Sequence, residues 1–461
     1  MVVINFIVEV IVQLLSTSNI LIGLFVMVGL LLQHKKASDV IKGVIKTILG
    51  LHLISDGAGL VIGSLTPLNT LMSATFGLTG TLPINETCFA AASETYGTAL
   101  SGIIAIGMIA NLVIARFSKF KFVYMTGHEM MWVSTICAFV LSALGLPMWQ
   151  VIVGGGLFVG LYMAVFPAIL YKDVCKVTGS KDLATGHTGI TLYWLAARIA
   201  QLVGGKSKSA EEVNFPKSLN FLRDLNVSLS LAMFVIYIVI TIMTLISHPD
   251  VVSSTYGSTN FIIACIEYSI EFAAAVYVLM AGVRLMVAEM VPGFQGIAEK
   301  FIPNAVPALD IPVLYPYMPN STLIGFVTCS VAFVVAFVLQ VATAKATGLP
   351  VILPTLFNSF FYGATMGCVA NVNGGLRGVI VASFIGGIVA SYVPALLINY
   401  GGVLISGTTF GGSDSAVIGI FLNQLGQLVH GGIFYIIIVL FCLPFLFSIG
   451  SKKNSAKEAS N

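Results

Sequence analysis

Residues 227–247 read VSLSLAMFVIYIVITIMTLIS, a run without a single charged side chain. Residues 322–344 read TLIGFVTCSVAFVVAFVLQVATA and are also uncharged, as are residues 378–399 and 430–451. At a rise of about 1.5 Å per residue, about 20 apolar residues in a helix cross a hydrocarbon core of about 30 Å. A membrane β-barrel would show shorter, alternating segments. These runs therefore predict membrane-spanning α-helices.

The composition of the whole chain agrees with this prediction. Of 461 residues, 57% are hydrophobic and only 9% are charged. Soluble domains carry about 25% charged residues, so a water-facing surface cannot be built from this inventory. The net charge of +3 is small, and we attribute it to membrane topology rather than to nucleic-acid binding. We predict an all-α polytopic membrane protein.

Eleven spans are expected, and most lysines and arginines fall in loops on one side of them. The positive-inside rule makes that side the cytoplasm, with the N-terminus outside and the C-terminus cytoplasmic. Residues Val2 to Leu15 precede the first span and are typical of an interfacial helix. The predicted spans are 18–33, 40–63, 98–115, 130–147, 150–170, 227–247, 259–283, 322–344, 351–372, 378–399 and 430–449.

The polar linker from Tyr171 to Asn226 divides the chain into halves, 1–225 and 226–461. Lys42-Gly43-Val44 followed by Asp56-Gly57 recurs as Ala281-Gly282-Val283 followed by Gln295-Gly296, at the same spacing. Five spans separate the two copies, and an odd number places them in opposite orientation. The pattern predicts two inverted repeats with re-entrant or broken helices, an architecture that holds substrate near the membrane midplane.

A polar cluster, Thr126-Gly127-His128-Glu129, precedes the fourth span. Thr126 can cap a helix start and Gly127 allows a ligand to approach the backbone. His128 and Glu129 then fall in the first helical turn, beside unpaired N–H groups, which predicts an anion or polyol site. The alternative is an ordinary helix cap facing water.

A second glycine-histidine pair, Gly186-His187 with Thr188, precedes the moderately apolar stretch from Ile190 to Leu202. This stretch is short for a span, so a re-entrant or interfacial element fits better than a crossing helix. The alternative is a plain cytoplasmic amphipathic helix.

Lone acids mark two further candidates, because charged groups inside a membrane are expensive and usually functional. Asp310 lies between two prolines in an apolar segment typical of a broken helix, and Glu86 is its counterpart in the first half. Alternatively, Glu86 is an exposed loop acid and Asp310 pairs with Lys300 or Arg284.

The glycine-rich run from 363 to 375 favours close helix packing over a second broken helix. For four other acids, pairing and function are both open: Asp56, Glu267, Glu271 and Glu289.

The sequence motifs of nucleotide hydrolysis, serine hydrolases and metal sites are absent. There is no Walker A motif, no Gly-x-Ser-x-Gly motif and no metal-ligand spacing of histidines, acids and cysteines. The seven cysteines occur singly, mostly in apolar runs, and are interpreted as packing residues. We expect no cofactor and no metal. Energy for transport must then come from an ion gradient, as in a secondary transporter of a small polar anion, or from a partner protein.

The motifs together resemble a known family. Thr126-Gly127-His128, Gly186-His187, Leu309-Asp310, Ile41 to Thr47 and Gly282-Val283-Arg284 are similar to the ascorbate-type enzyme IIC family. These are the membrane permeases of the bacterial phosphoenolpyruvate-dependent phosphotransferase system. The resemblance runs from about residue 15 to residue 450, and the order and spacing of several motifs agree.

The resemblance implies a homodimer in the bacterial cell membrane, with a mobile core that carries the sugar between the two faces like an elevator. A separate IIB protein, charged by a IIA protein, carries the phosphocysteine that phosphorylates the sugar. The permease itself would then hold no catalytic residue and would contribute positioning. The implied partners are these two proteins, membrane lipid and a small sugar, with no nucleic acid.

The resemblance also implies which residues contact the sugar. A second tier beside them comprises Glu86, Thr126 and Gly127. Cys88, Trp132 and Thr188 stand where ascorbate-type members have tyrosine and two glutamines, so the expected cargo is L-ascorbate or a related small sugar or pentitol. The implied contacts are Thr87, Cys88, His128, Glu129, Met130, Met131, Trp132, His187, Thr188 and Asp310.

Overall fold

The computed structural model describes residues 18–77, 80–213, 224–302, 304–403, 405 and 407–458. The interfacial helix predicted for Val2 to Leu15 lies outside these ranges. The helices in order are α1 Ser18–Leu32, α2 Ala37–Phe76, α3 Asn85–Phe117, α4 Gly127–Ala143, α5 Met148–Thr178, α6 Ile190–Val203, α7 Leu225–Ser247, α8 Pro249–Tyr256, α9 Phe261–Phe301, α10 Pro319–Thr347, α11 Leu356–Tyr400, α12 Ser413–Val429 and α13 Ile433–Glu458.

Eight helical stretches in the described part of the chain are long and apolar enough to cross a membrane. The prediction of an all-α polytopic membrane protein is therefore confirmed, while the count of eleven spans stays a prediction. Two predicted spans, 351–372 and 378–399, fall largely within α11, which bends at Gly375. Helix α12 was not among the predicted spans, because residues 400–429 mix apolar and polar side chains.

In the described part of the chain, six short strands that were not predicted from the sequence interrupt the helices. They are β1 Gly80–Pro83, β2 Phe122–Tyr124, β3 Ala184–Thr185, β4 Val306–Leu309, β5 Val351–Ile352 and β6 Thr408–Thr409. They form two parallel sheets with the orders β5-β1-β6 and β2-β4-β3. In each sheet the central strand comes from one half of the chain and both flanking strands come from the other.

Glycines bring long helices into close contact, both between the two halves and within the second half. In α2 and α9, a Cβ added at Gly50 would lie 2.7 Å from the carbonyl oxygen of Gly282, and the reverse distance is 2.6 Å. A Cβ added at Gly363 of α11 would lie 2.5 Å from the carbonyl oxygen of Gly325 in α10. Only glycine allows backbones this close. The packing role predicted for the glycine-rich run is confirmed at Gly363.

The same run also contains a break. Gly375 has φ +59°, and a Cβ there would lie 2.5 Å from the carbonyl oxygens of Ser207 and Lys208. Leu376 donates its N–H to the Lys208 carbonyl at 2.8 Å. The bend in α11 therefore packs against the segment that follows α6. The glycine-rich run thus contains a close helix contact at Gly363 and a break in the helix at Gly375.

Helix α6 is short, as predicted, with 14 residues, and it buries one face against α11. Its Arg198 forms an ion pair with Asp173 of α5, a carboxylate that is 2% exposed. Asn373 of α11 donates to the other oxygen of Asp173 at 2.9 Å. Three helices meet at one buried charge, so α6 is an integrated element rather than a loose amphipathic helix. The acids Asp56, Glu267 and Glu271 are exposed on the protein surface, and the side chain of Glu289 lies outside the described part.

Candidate functional site

A cavity of about 200 Å³ lies where the chain leaves all six strands. Asn85 and Glu86 follow β1, His128 follows β2, and His187 follows β3. Asp310 follows β4. The remaining lining residues are Glu129, Trp132 and Thr188, then Phe357, Asn358, Phe361 and Tyr362 after β5, Gly411 and Gly412 after β6, and Met280, Val283 and Arg284 of α9. Since strands in one parallel sheet point the same way, each sheet delivers three such segments to the cavity.

Two histidines and two acids form a connected cluster in the cavity wall. Nε2 of His128 lies 3.4 Å from Oδ2 of Asp310 and 3.6 Å from Oε1 of Glu129. Nε2 of His187 lies 3.3 Å from the same Glu129 oxygen. The residues come from three separate places in the sequence, since His128 and Glu129 are neighbours. Their side chains line a small cavity with alternating hydrogen-bond donors and acceptors.

Glu129 is the centre of this cluster and is 5% exposed. Helix α4 begins at Gly127, so Glu129 lies in its first turn, as predicted. Its second oxygen, Oε2, accepts the backbone N–H of Thr188 at 2.6 Å. Thr126 occupies the N-cap position, but its hydroxyl does not cap the helix and instead points to the Ala308 carbonyl at 3.5 Å. The hydroxyl therefore lies against β4, the strand that pairs with β2 in the sheet.

Asp310 lies where an extended strand changes into a 3₁₀ helix, Ile311–Tyr317. Its Oδ1 accepts the N–H of Ile311 at 2.8 Å, which leaves Oδ2 facing His128. The two prolines beside Asp310 thus lie in a strand and in a 3₁₀ helix, and the broken helix predicted from them stays a prediction. Among the described residues the ion pair of Asp310 is with His128, while Arg284, the other partner considered, lines the same cavity.

The predicted residues divide into two groups. Those that line the cavity are His128, Glu129, Trp132, His187, Thr188, Asp310 and Glu86. Glu86 is 5% exposed, so the alternative of an exposed loop acid is wrong. Thr87, Cys88, Met130 and Met131 are buried and do not line this cavity, and Thr126 and Gly127 lie buried behind it.

Asp414, at the start of α12, was not predicted, although it supports the His187-Thr188 segment from behind. It is fully buried and accepts the N–H groups of Ile190 at 2.8 Å and Thr191 at 3.1 Å. The Thr191 hydroxyl donates to it as well. In return, the N–H of Asp414 donates to the Thr188 carbonyl at 2.8 Å. The signal was the run Gly411-Gly412-Ser413-Asp414, which is typical of a helix start.

Asn85 and Tyr362 were also missed, and both hold the segment after β6. The Asn85 side-chain oxygen accepts the N–H groups of Gly411 at 2.9 Å and Gly412 at 3.0 Å. Tyr362 donates its hydroxyl to the Gly411 carbonyl and accepts the Ser413 N–H, each at 2.6 Å. These bonds fix the glycine backbone that forms one wall of the cavity.

Two buried polar atoms in the site have no hydrogen-bond partner: Nδ1 of His128 and Oγ1 of Thr188. Buried polar groups are nearly always paired, so such atoms mark a place for a bound molecule. The two carboxylates can accept hydrogen bonds from hydroxyl groups, and the imidazoles can donate or accept them. Trp132, whose ring centroid is 6.3 Å from that of His128, adds an apolar surface. This mixture suits a small polyhydroxylated molecule.

Comparison with known proteins identifies the family of this chain. The family model for the sugar-specific permease component of the phosphotransferase system, EIIC-GAT, matches residues 13–414. A relative from Mycoplasma pneumoniae, the ascorbate-specific EIIC component of that system, is 24% identical over 412 residues, covering 78% of this chain and 62% of that protein. The matched region thus spans less than two thirds of the relative's length. With more than half of its residues matched by the family model, this multi-pass membrane protein belongs to the EIIC-GAT family of sugar-specific permease components of the phosphotransferase system.

Proposed function

We propose that this protein is the permease through which a phosphotransferase system takes up L-ascorbate or a related small sugar or polyol. The observation that carries the proposal is the cavity of about 200 Å³ at the ends of all six strands, with its carboxylates, imidazoles and indole. At about 30 Å³ per water molecule, it has the volume of about seven waters, or one small sugar. The ascorbate specificity of the Mycoplasma relative supports the choice of cargo.

In this proposal, Glu86, Glu129 and Asp310 accept hydrogen bonds from sugar hydroxyls, and His128, His187 and Thr188 complete the polar shell. Asn85 and Arg284 join the residues inferred from sequence because they line the same cavity. Thr87, Cys88, Met130 and Met131 act from the second layer. Cys88, Trp132 and Thr188 remain the departures that distinguish this chain from ascorbate-type members.

We place the site between two inverted repeats, residues 1–225 and 226–461, within eleven spans. The element order supports this: α2-β1-α3-β2-α4-α5-β3-α6 is matched by α9-β4-α10-β5-α11-β6-α12, with α11 bent into two parts at Gly375. Helix α3 has a non-helical residue, Tyr96, after its first ten or so residues, at the place where the second half has its 3₁₀ helix. The sheets support the relation as well, because each half supplies the central strand of one sheet and both flanking strands of the other.

The phosphoryl donor in this scheme is a cysteine on a separate IIB protein, recharged by a IIA protein. The permease dimer moves its core across the membrane and presents a sugar hydroxyl at the cytoplasmic face, where IIB reaches it. Holding the hydroxyl in a productive orientation is the permease's contribution to the reaction. The basic loops and the C-terminus lie on that face.

Reconstitution into proteoliposomes tests the proposal. With L-ascorbate outside and phosphorylated IIB inside, we expect phosphorylated product in the lumen and none without IIB. Accumulation of unmodified solute that collapses with an uncoupler would identify an ion-coupled transporter instead. His128→Ala and Asp310→Asn should abolish equilibrium binding while the dimer persists in size-exclusion chromatography, and near-normal binding by both variants would contradict the site assignment.

A further inference from the structure

A second and larger cavity, of about 690 Å³, borders the strands of the β5-β1-β6 sheet. Leu82 of β1 and Thr408 of β6, which are paired in that sheet, line this cavity. The residues that follow these strands, Glu86 and Gly411, line the smaller one. One thin sheet and its connections therefore separate the two cavities.

The wall opposite the sheet is a polar stripe on α2, formed by Thr66, Asn69, Thr70 and Ser73. Their spacing of three and four residues puts them on one helical face. Thr66 and Thr70 donate their hydroxyls to carbonyls of their own helix at 3.1 Å, so their oxygens remain free to accept. Polar side chains within an apolar span are costly unless they contact other polar groups.

Two atoms in this cavity lack a partner: Oδ1 of Asn69 and Oγ1 of Thr87. Thr87 lines the cavity and is only 3% exposed, so bulk water does not reach its hydroxyl. Asn69 faces it from α2. An orphaned acceptor and an orphaned hydroxyl across one polar cavity indicate a ligand that both donates and accepts hydrogen bonds. Among the described residues no charged side chain lines this cavity, which favours hydroxyls over ions.

The cavity lies at the outer end of the surrounding helices. Helix α2 begins beside Lys35 and Lys36 and reaches the cavity only in its last third, and α3 begins at the cavity and ends beside Arg116. Because basic residues mark the cytoplasmic side, the cavity faces the exterior. From this geometry we infer that the Asn69–Thr87 cavity is a second, weaker binding site for small polyhydroxylated solute, occupied before the solute reaches the His128–Asp310 site. The inference rests on the proposed function for its choice of solute.

Isothermal titration of the full-length protein in detergent, with L-ascorbate and with xylitol as probes, tests the inference. We expect two classes of site in the wild type. Asn69→Leu should weaken only the weaker class, about tenfold, because one lost hydrogen bond corresponds to about that factor. His128→Ala should remove only the tighter class. Thr47→Val, a buried threonine on the same helix that bonds the Gly43 carbonyl, is the matched control and should leave both unchanged.

The outcomes separate this inference from the proposed function. A single class that disappears in His128→Ala and is unchanged in Asn69→Leu overturns the second site and leaves the first intact. A single class that responds to Asn69→Leu alone supports the second site and contradicts the first. Should neither probe bind the folded wild-type protein, the inference is overturned as well. Unchanged thermal melting of Asn69→Leu shows that an altered isotherm is not misfolding.

Discussion

Glu129 concentrates more of the site's contacts than any neighbouring side chain in the cluster, because its two oxygens face His128, His187 and the Thr188 backbone. In glutamine an NH2 donor replaces one of the two acceptor oxygens and the charge is lost, so the side chain can no longer accept hydrogen bonds through both positions. We expect Glu129→Gln to weaken sugar binding about 10- to 100-fold, as hydrogen bonds to a charged group contribute about 1.5–3 kcal/mol. Titration calorimetry measures this. Glu94→Gln, an exposed acid on α3, is the control and should bind normally.

Asp414 makes a separate prediction, since it does not itself line the cavity and acts through residues 187–191. Asp414→Ala strands the buried N–H groups of Ile190 and Thr191, at a cost of about 1–3 kcal/mol each. We expect a clear drop in melting temperature and weaker sugar binding. Asp414→Asn, which keeps one acceptor oxygen, should recover part of both. Equal losses in the two variants would show that the carboxylate's acceptors are not what holds the segment.

For single residues, the sequence indicates which side chains carry the chemistry of the site but not which way each side chain points. Histidines next to glycines and lone acids in apolar runs are rare enough to be recognised, so His128, His187 and Asp310 could each be predicted as candidates. That they share one site was implied only by the family resemblance. Thr87 and Met131 could not be excluded, because neighbouring residues on a helix point about 100° apart and the buried face is fixed only by packing. Thr87 faces a different cavity from its neighbour Glu86 for that reason.

Among the elements, α11 shows how one glycine sets the course of a 45-residue helix. At Gly375 the positive φ alone costs other residues about 1–2 kcal/mol, and an added Cβ would meet two carbonyl oxygens at 2.5 Å. We expect Gly375→Ala to lower the free energy of unfolding by at least about 2 kcal/mol. Melting followed by circular dichroism measures it.

Gly63 of α2 is the matched control for that substitution. A Cβ added there meets nothing within 4 Å, and the residue is helical. Alanine is the better helix former by about 1 kcal/mol, so Gly63→Ala should be neutral or stabilising. If both alanine variants melt alike, the bend at Gly375 does not depend on the glycine.

Long elements were therefore largely predictable, and the short ones were not. Apolar runs of about 20 residues identify spans by length and composition, as for α7 and α10. Strands of two to four residues carry no periodic signal, so β3 or β5 resembles a loop in the sequence. Their pairing joins residues more than 100 positions apart, for instance Leu82 with Thr408. Only the assembled helices bring such segments together.

For the whole molecule, the distribution of basic residues predicts one orientation. Alkaline phosphatase inserted at Gly257, in the turn after α8, should be active because that turn faces outside. The same reporter fused after residue 461 should be inactive, while a C-terminal green fluorescent protein should fluoresce. The reverse pattern would contradict the eleven-span scheme and place the larger cavity on the cytoplasmic side.

The exchanged strands have a consequence for how the protein is made. Strands β2 and β3 pair only with β4, and more than 100 residues must be translated after Thr185 before β4 begins at Val306. The first half therefore enters the bilayer with its sheet unfinished, and its own β1 waits longer still for β5 and β6. The first half therefore cannot complete its fold before the strands of the second half have been made. The sugar site comes into existence only when the last strand leaves the ribosome, so a truncated chain would contain most of the helices and no binding site.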